Sequence, residues 1–158
     1  MAVTPRQSLA ILLGWILLVA AVSLSGILTP PGAWYAALDK PPLTPPDWLF
    51  PVAWTTLYLM MAVAAWRVTV LAPPGRRRFF LWPFVAQLAA NGAWSILFFG
   101  LHWMIVALVD LLLLWGLIVL TIRRFAWVSS TAAWLLVPYL AWVSFAAYLN
   151  AGTWWLNG

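Results

Sequence analysis

At 158 residues the chain is long enough for one compact domain, read here as a single unit over 1–158. Apolar residues make up 66% and charged residues 7%, where a water-soluble domain carries about 25% charged residues, so a soluble fold is excluded. The absence of cysteine excludes disulfides, thiolate metal sites and a cysteine nucleophile, and the net charge of +5 sits in short segments between apolar runs, where topology rather than nucleic acid accounts for it.

In hydrocarbon every backbone group must be paired internally, which leaves helices or a closed barrel. The apolar runs are about 20 residues long and do not alternate, so helices are predicted. Span one is expected from Ser8 to Leu28. Arg6 ahead of it resembles the start of a signal peptide, but the run exceeds the ~7–15 residues of a signal core, so a retained span is expected. Thr29 to Leu49 follows as one long connection with Pro30, Pro31, Pro41, Pro42, Pro45 and Pro46. Its prolines restrict the backbone and Trp34, Tyr35 and Trp48 give it apolar anchors, so an ordered lid is expected. Span two runs from Phe50 to Leu71, span three from Phe79 to Leu101, span four from Met104 to Ile122, and span five from Trp127 to Asn150. The fold class is therefore an all-α integral membrane protein, a bundle of five transmembrane helices with a long Pro-rich first loop.

Five spans put Arg6, Arg67, Arg76, Arg77, Arg78, Arg123 and Arg124 on one side. Asp39, Lys40, Asp47 and His102 fall on the other. Seven of the eight basic residues thus share a side, and the positive-inside rule places the N-terminus in the cytoplasm. A bacterial cytoplasmic membrane is the expected location.

Tryptophan occurs fourteen times. Trp34, Trp48, Trp82, Trp103, Trp127, Trp154 and Trp155 lie near span ends, where indoles anchor to the interface. Trp54, Trp94, Trp134 and Trp142 lie further in. On span three, Gln87, Asn91, Trp94, Ser95 and Phe98 share a helical face. Asn91 either bonds a neighbouring helix or faces a ligand. Pro51, Trp54, Tyr58 and Ala65 share a face of span two, and Pro138, Trp142, Ala146 and Leu149 a face of span five. Three aromatic faces with one carboxamide are the makings of an apolar pocket with a few polar contacts, and flat aromatic ligands stack on indoles. Small residues at Ala86, Ala89, Ala90, Gly92 and Ala93 allow close helix approach, either within the chain or in a homodimer through span three. Asp110 is the one carboxylate inside a span, which makes it a functional candidate of open role. His102 is the single histidine, so no His/Cys cluster for haem iron or zinc is expected, nor a Ser-His-Asp arrangement away from it. No intrinsic cofactor, metal site or phosphate-binding Gly-rich loop is expected.

Long strings then carry a resemblance. WYAALDKPPLTPPDWLFPVAWTTLYLMMAVAAW from Trp34, AQLAANGAWSILFFG from Ala86, ALVDLLLLW from Ala107 and VPYLAWVSFAAYLN from Val137 resemble the TspO/MBR family. That family comprises the tryptophan-rich sensory proteins and the mitochondrial translocator protein, or peripheral benzodiazepine receptor. The resemblance implies five transmembrane helices, a homodimer, and binding of porphyrins such as protoporphyrin IX and haem or of other flat hydrophobic molecules. It implies a ligand-binding set of Tyr35, Trp54, Tyr58, Asn91, Trp94, Trp142 and Ala146. It also implies light-dependent porphyrin breakdown in some members, with Trp54 and Trp142 as the catalytic candidates. The chain departs from the family's cholesterol motif, because no Lys or Arg follows Tyr148. The expected function is a receptor or carrier for tetrapyrroles, in contact with membrane lipid and without nucleic acid. Porphyrin breakdown and a structural or regulatory membrane role are the alternatives.

Overall fold

Thr4 starts the first helix. Its hydroxyl accepts from the Gln7 amide while the Gln7 side chain accepts from the Thr4 amide, and Pro5 takes the first helical position, where no donor is needed. In the computed structural model, which describes residues 3–158, all regular elements are helical. Helix α1 spans Pro5–Leu28, and a short helix α2, Ala33–Ala37, lies in the long loop. Then come α3 at Leu49–Leu71, α4 at Arg77–Ser95, α5 at Met104–Ala126, α6 at Ser130–Trp134 and α7 at Val137–Asn157. A single π turn, Ile96–Gly100, prolongs α4.

Among the described residues, four stretches are long and apolar enough to cross a membrane: α1, α3, α5 and the run Ser130–Asn157. The chain is an all-helical integral membrane protein. Helix α4 stands apart because it opens on Arg77 and Arg78 and carries Pro83, Gln87 and Asn91. Its polar groups face inward, with Gln87 1% and Asn91 4% exposed. Helix α1 does the opposite: it turns Leu9, Leu13, Leu17, Leu24 and Ile27 outward and buries only Val19. That pattern fits a helix bathed in lipid, where exposed leucine costs nothing.

Helices consecutive in the bundle pack antiparallel, α1 on α3, α4 on α5 and α5 on α7, while α1 and α4 lie side by side in parallel. Helices α3 and α7 make little close backbone contact, and bulky side chains fill the gap between them. Three hydrogen bonds knit one end of the bundle. The Trp66 indole donates to the Ser8 carbonyl at 3.1 Å, Arg67 to the Ser129 hydroxyl at 3.3 Å, and Arg124 to the Phe79 carbonyl at 2.5 Å. These bonds bring the arginine-bearing segments to the same end. Asp39 meets Asn157, and Trp34 meets His102, at the other end.

Two expectations need correction. The fifth span is not one helix from Trp127. Helix α5 continues to Ala126, the chain turns, α6 forms a short helix, and α7 begins at Val137 and runs to Asn157. Pro138 starts that helix rather than kinking it, because a first-turn proline lacks only a donor that would be unpaired anyway. Trp134, read as an inward residue, is 70% exposed on α6. The break at residues 135–136 rotates it off the face that carries Trp142.

The small residues of α4 are used within the chain at one position at least. A Cβ built on Gly92 would lie 3.5 Å from Val22 Cγ1 and 3.8 Å from Ser25 Oγ on α1. Gly92→Leu is therefore expected to push α1 off α4 and to destabilise the fold by about 1–3 kcal/mol. Thermal unfolding in detergent checks this, and the loss should not vary with protein concentration.

Candidate functional site

The gap between α3 and α7 holds an aromatic-walled cavity of about 40 Å³. Helix α3 supplies Phe50 and Trp54, and α4 with its π turn supplies Trp94, Phe98 and Phe99. Helix α7 supplies Trp142, Phe145 and Ala146, and Tyr35 closes it from the loop. The rings pack on one another. Trp54 meets Trp142 edge to face at 6.5 Å and stacks on Tyr58 at 5.5 Å. Trp94 stacks on Phe98 at 5.4 Å and meets Phe99 edge-on at 5.6 Å. The π turn makes this possible: its wider turn brings Phe98 and Phe99 together beside Trp94. The Thr29 hydroxyl, at the end of α1, donates to the Ser95 carbonyl at 3.2 Å just where the ladder changes pitch.

Beneath the cavity runs a chain of hydrogen bonds. Tyr58 donates to Asn91 Oδ1 at 2.6 Å, Asn91 Nδ2 donates to the Tyr139 hydroxyl at 3.1 Å, and Tyr139 donates to Gln87 Oε1 at 2.8 Å. Tyr139 is fully buried. To one side, Asn150 accepts from the Trp94 indole at 3.1 Å and donates to the Met104 carbonyl at 2.9 Å, so it ties α4, α5 and α7 together.

Above the cavity the long loop is fastened to the end of α7. Asn157 Nδ2 donates to the Asp39 carbonyl at 2.9 Å while its Oδ1 accepts from the Asp39 amide at 3.0 Å. The Tyr148 hydroxyl donates to the Pro42 carbonyl at 2.8 Å. Pro41 is buried against Gly152, where an added Cβ would lie 2.6 Å from the proline ring. On the other flank Trp34 stacks on His102 at 3.9 Å, and His102 holds a left-handed φ of 60° to make the tight turn into α5. Lys40 sits over the Tyr35 ring at 4.8 Å. Burial, and then the Asp47 carboxylate, pushes the Tyr35 phenol up, so it stays neutral at physiological pH.

Of the residues singled out in the sequence, Tyr35, Trp54, Trp94, Trp142 and Ala146 line this one cavity. Tyr58 and Asn91 do not line it; they spend their polar groups on each other and on Tyr139 in the floor. Asp110 lies outside the lining, half-buried, with Oδ2 enclosed and unpartnered. Phe50, Phe99, Phe145, Tyr139 and Asn150 went unnoticed as site residues. Asn150 carried a signal, a carboxamide in a largely apolar helix. Phe99 carried none, because only the π turn brings it round. The cavity is far below the roughly 300–1,000 Å³ of an occupied small-molecule site.

A model of the TspO/MBR family matches residues 12–156. The chain is 47% identical over 137 residues to the tryptophan-rich protein TspO of Chlorobaculum tepidum, covering 84% of this chain and 87% of that one. It is 39% identical over 152 residues to protein CrtK of Rhodobacter capsulatus, covering 96% and 95%. It is also 39% identical over 130 residues to the human translocator protein, covering 77% and 73%.

Asn91→Leu strands the half-buried Tyr58 hydroxyl and is expected to cost about 1–3 kcal/mol, part of which Tyr58→Phe should restore in the same background. Unfolding of the two single variants and the double variant measures that coupling. Gly152→Val should lift Pro41 and loosen the loop. Hydrogen exchange at Leu38 to Lys40 and at Leu43 and Thr44 is expected to speed up, while exchange in α5 stays as it is.

Proposed function

Because the chain belongs to the TspO/MBR family, we propose that it is a membrane receptor or carrier for tetrapyrroles such as protoporphyrin IX and haem, and for similar flat hydrophobic molecules. The observation that carries this reading is the aromatic cavity under a fastened loop, with Trp54 and Trp142 meeting edge to face in its wall. A macrocycle would lie against this wall, stacking on one indole and meeting the other edge-on, and rest above the Tyr58–Asn91–Tyr139 floor. Lys40, at the loop, would meet a propionate. Such a protein would serve porphyrin handling or stress signalling.

The same proposal takes the bundle as five spans. Helix α4 and its π turn run from Arg77 to Gly100, about 36 Å at 1.5 Å per residue, enough to cross the hydrocarbon. The arginine-rich end would face the cytoplasm of a bacterium, with the N-terminus inside. A homodimer would form through the outward side of α4, where Ala89 is exposed.

Light-dependent porphyrin breakdown is the second reading. What favours it is the contiguity of oxidisable rings, with Tyr58 stacked on Trp54 and Tyr139 edge-on to it at 6.3 Å.

An absorbance titration of protoporphyrin IX in lipid, followed at the Soret band, tests the main reading. A saturable shift is expected, with affinity roughly three- to tenfold weaker in Trp54→Phe and Trp142→Phe. An unsaturable shift, or one blind to both substitutions, would mean porphyrin only partitions into the bilayer. Bleaching of the Soret band under light, lost in Trp54→Phe, is the outcome expected of the second reading.

A further inference from the structure

The corner where α5 ends against the start of α4 has no part in the cavity. Arg76 and Arg124 both lie over the ring of Phe79, their guanidinium carbons 5.8 Å and 4.2 Å from its centroid. Arg124 also lies 4.9 Å from the Trp82 ring and donates to the Phe79 carbonyl. Arg77 and Arg78 are adjacent in the first turn of α4, and Arg77 Nε is buried without a partner. Arg123 stands beside Arg124. Topology explains why arginines lie at this end, and the end of α5 attracts them by its dipole. Neither explains why two guanidinium groups, one from the turn before α4 and one from the end of α5, converge on one ring.

Cation–π attraction draws each group to the ring, but two like charges brought this close repel each other, and the chain offers no carboxylate side chain at this end to offset them. The chain's only carboxylate side chains are Asp39, Asp47 and Asp110. The first two lie in the long loop at the opposite end, and the third lies within α5. The helix dipole adds to the imbalance. Helix α4 starts at Arg77 with no side-chain cap and no acid in its first turn, so the positive end of its dipole faces the same corner unopposed. Below the charges lies an exposed aromatic shelf. Trp127 stacks on Phe79 at 6.2 Å and is 72% exposed, and Trp82 is 48% exposed.

We infer that this corner is a binding site for an anionic phospholipid, the headgroup phosphate held by the Arg76 and Arg124 guanidinium groups, and the acyl chains lying on Phe79, Trp82 and Trp127. A guanidinium fork matches a phosphate oxygen pair, and arginine keeps free donors after its bond to Phe79. The shelf decides between a lipid and a free phosphate, because only a lipid covers it. The site rests on membrane insertion alone and is independent of the porphyrin proposal.

The test titrates delipidated protein in neutral detergent with phosphatidylglycerol or phosphatidylcholine and counts bound lipid by native mass spectrometry. Phosphatidylglycerol is expected to bind at least tenfold more tightly, and Arg76→Gln and Arg124→Gln each to weaken it by about fivefold. Arg6→Gln, which removes the same charge at the same end, should leave it unchanged. Arg76 makes only its ring contact, so its variant keeps the fold, which circular dichroism verifies. Equal binding of the two lipids, or an equal loss in Arg6→Gln, would overturn the site. Displacement by millimolar inorganic phosphate would overturn the lipid assignment.

Discussion

The chain of hydrogen bonds from Tyr58 through Asn91 and Tyr139 to Gln87 is the constraint on which the rest of the bundle turns. Hydrocarbon offers no water, so each of these buried groups must find its partner inside the protein. Their donors all point the same way, from α3 to α4, across to α7 and back to α4. Helices α3 and α7 have little backbone contact of their own, so this chain sets how far apart they stand. The aromatic cavity is what remains above it. A one-residue rotation of any of the three helices would break a bond and close or deform the cavity together.

Closure follows from the same economy of contacts. The loop is held by three hydrogen bonds to α7 and by the Pro41–Gly152 contact, and each such bond contributes about 0.5–1.5 kcal/mol. Opening it therefore costs a few kcal/mol, a scale that a bound ligand can offset. The source of the ligand matters. One arriving from water gains about 25 cal/mol for each Å² of apolar surface it buries. One arriving from the bilayer has already left water and gains only stacking and polar contacts. Selectivity for a molecule dissolved in lipid must then come from ring geometry and from the few polar groups at the floor and the loop, not from burial.

Much of this architecture was legible in the sequence, because bilayer thickness and the cost of buried polarity are strong constraints. The long apolar runs located the helices, and 3.6-residue spacing put Trp54, Trp94, Trp142 and Ala146 on faces that meet. The failures are local and have physical causes. Trp134 was misplaced because a helix break at residues 135–136 reset the phase that periodicity assumes. Phe99 was invisible because a π turn has a different pitch. For Asn91 and Tyr58 a sequence shows that a polar group needs a partner but not which one, and here they bond each other and Tyr139. The fastening of the loop joins residues more than a hundred positions apart, and no local pattern announces such pairs.

Tryptophan is where structure separates what sequence could not. An indole buried in apolar surroundings needs an acceptor for its N–H. Trp15 donates to Thr69, Trp66 to Ser8, Trp94 to Asn150 and Trp115 to Ser144, each on another helix. These four fasten the bundle, and losing any of them would strand an acceptor as well as a ring. Among the described residues, Trp54 and Trp142 donate to no protein group, yet neither N–H is walled off. Their polar edges remain open where their faces line the cavity. A tryptophan kept for packing alone has no reason to leave its donor free beside an unfilled space. Under the proposed reading, those two open donors would be left for the ligand, in the wall where Trp54 and Trp142 meet edge to face.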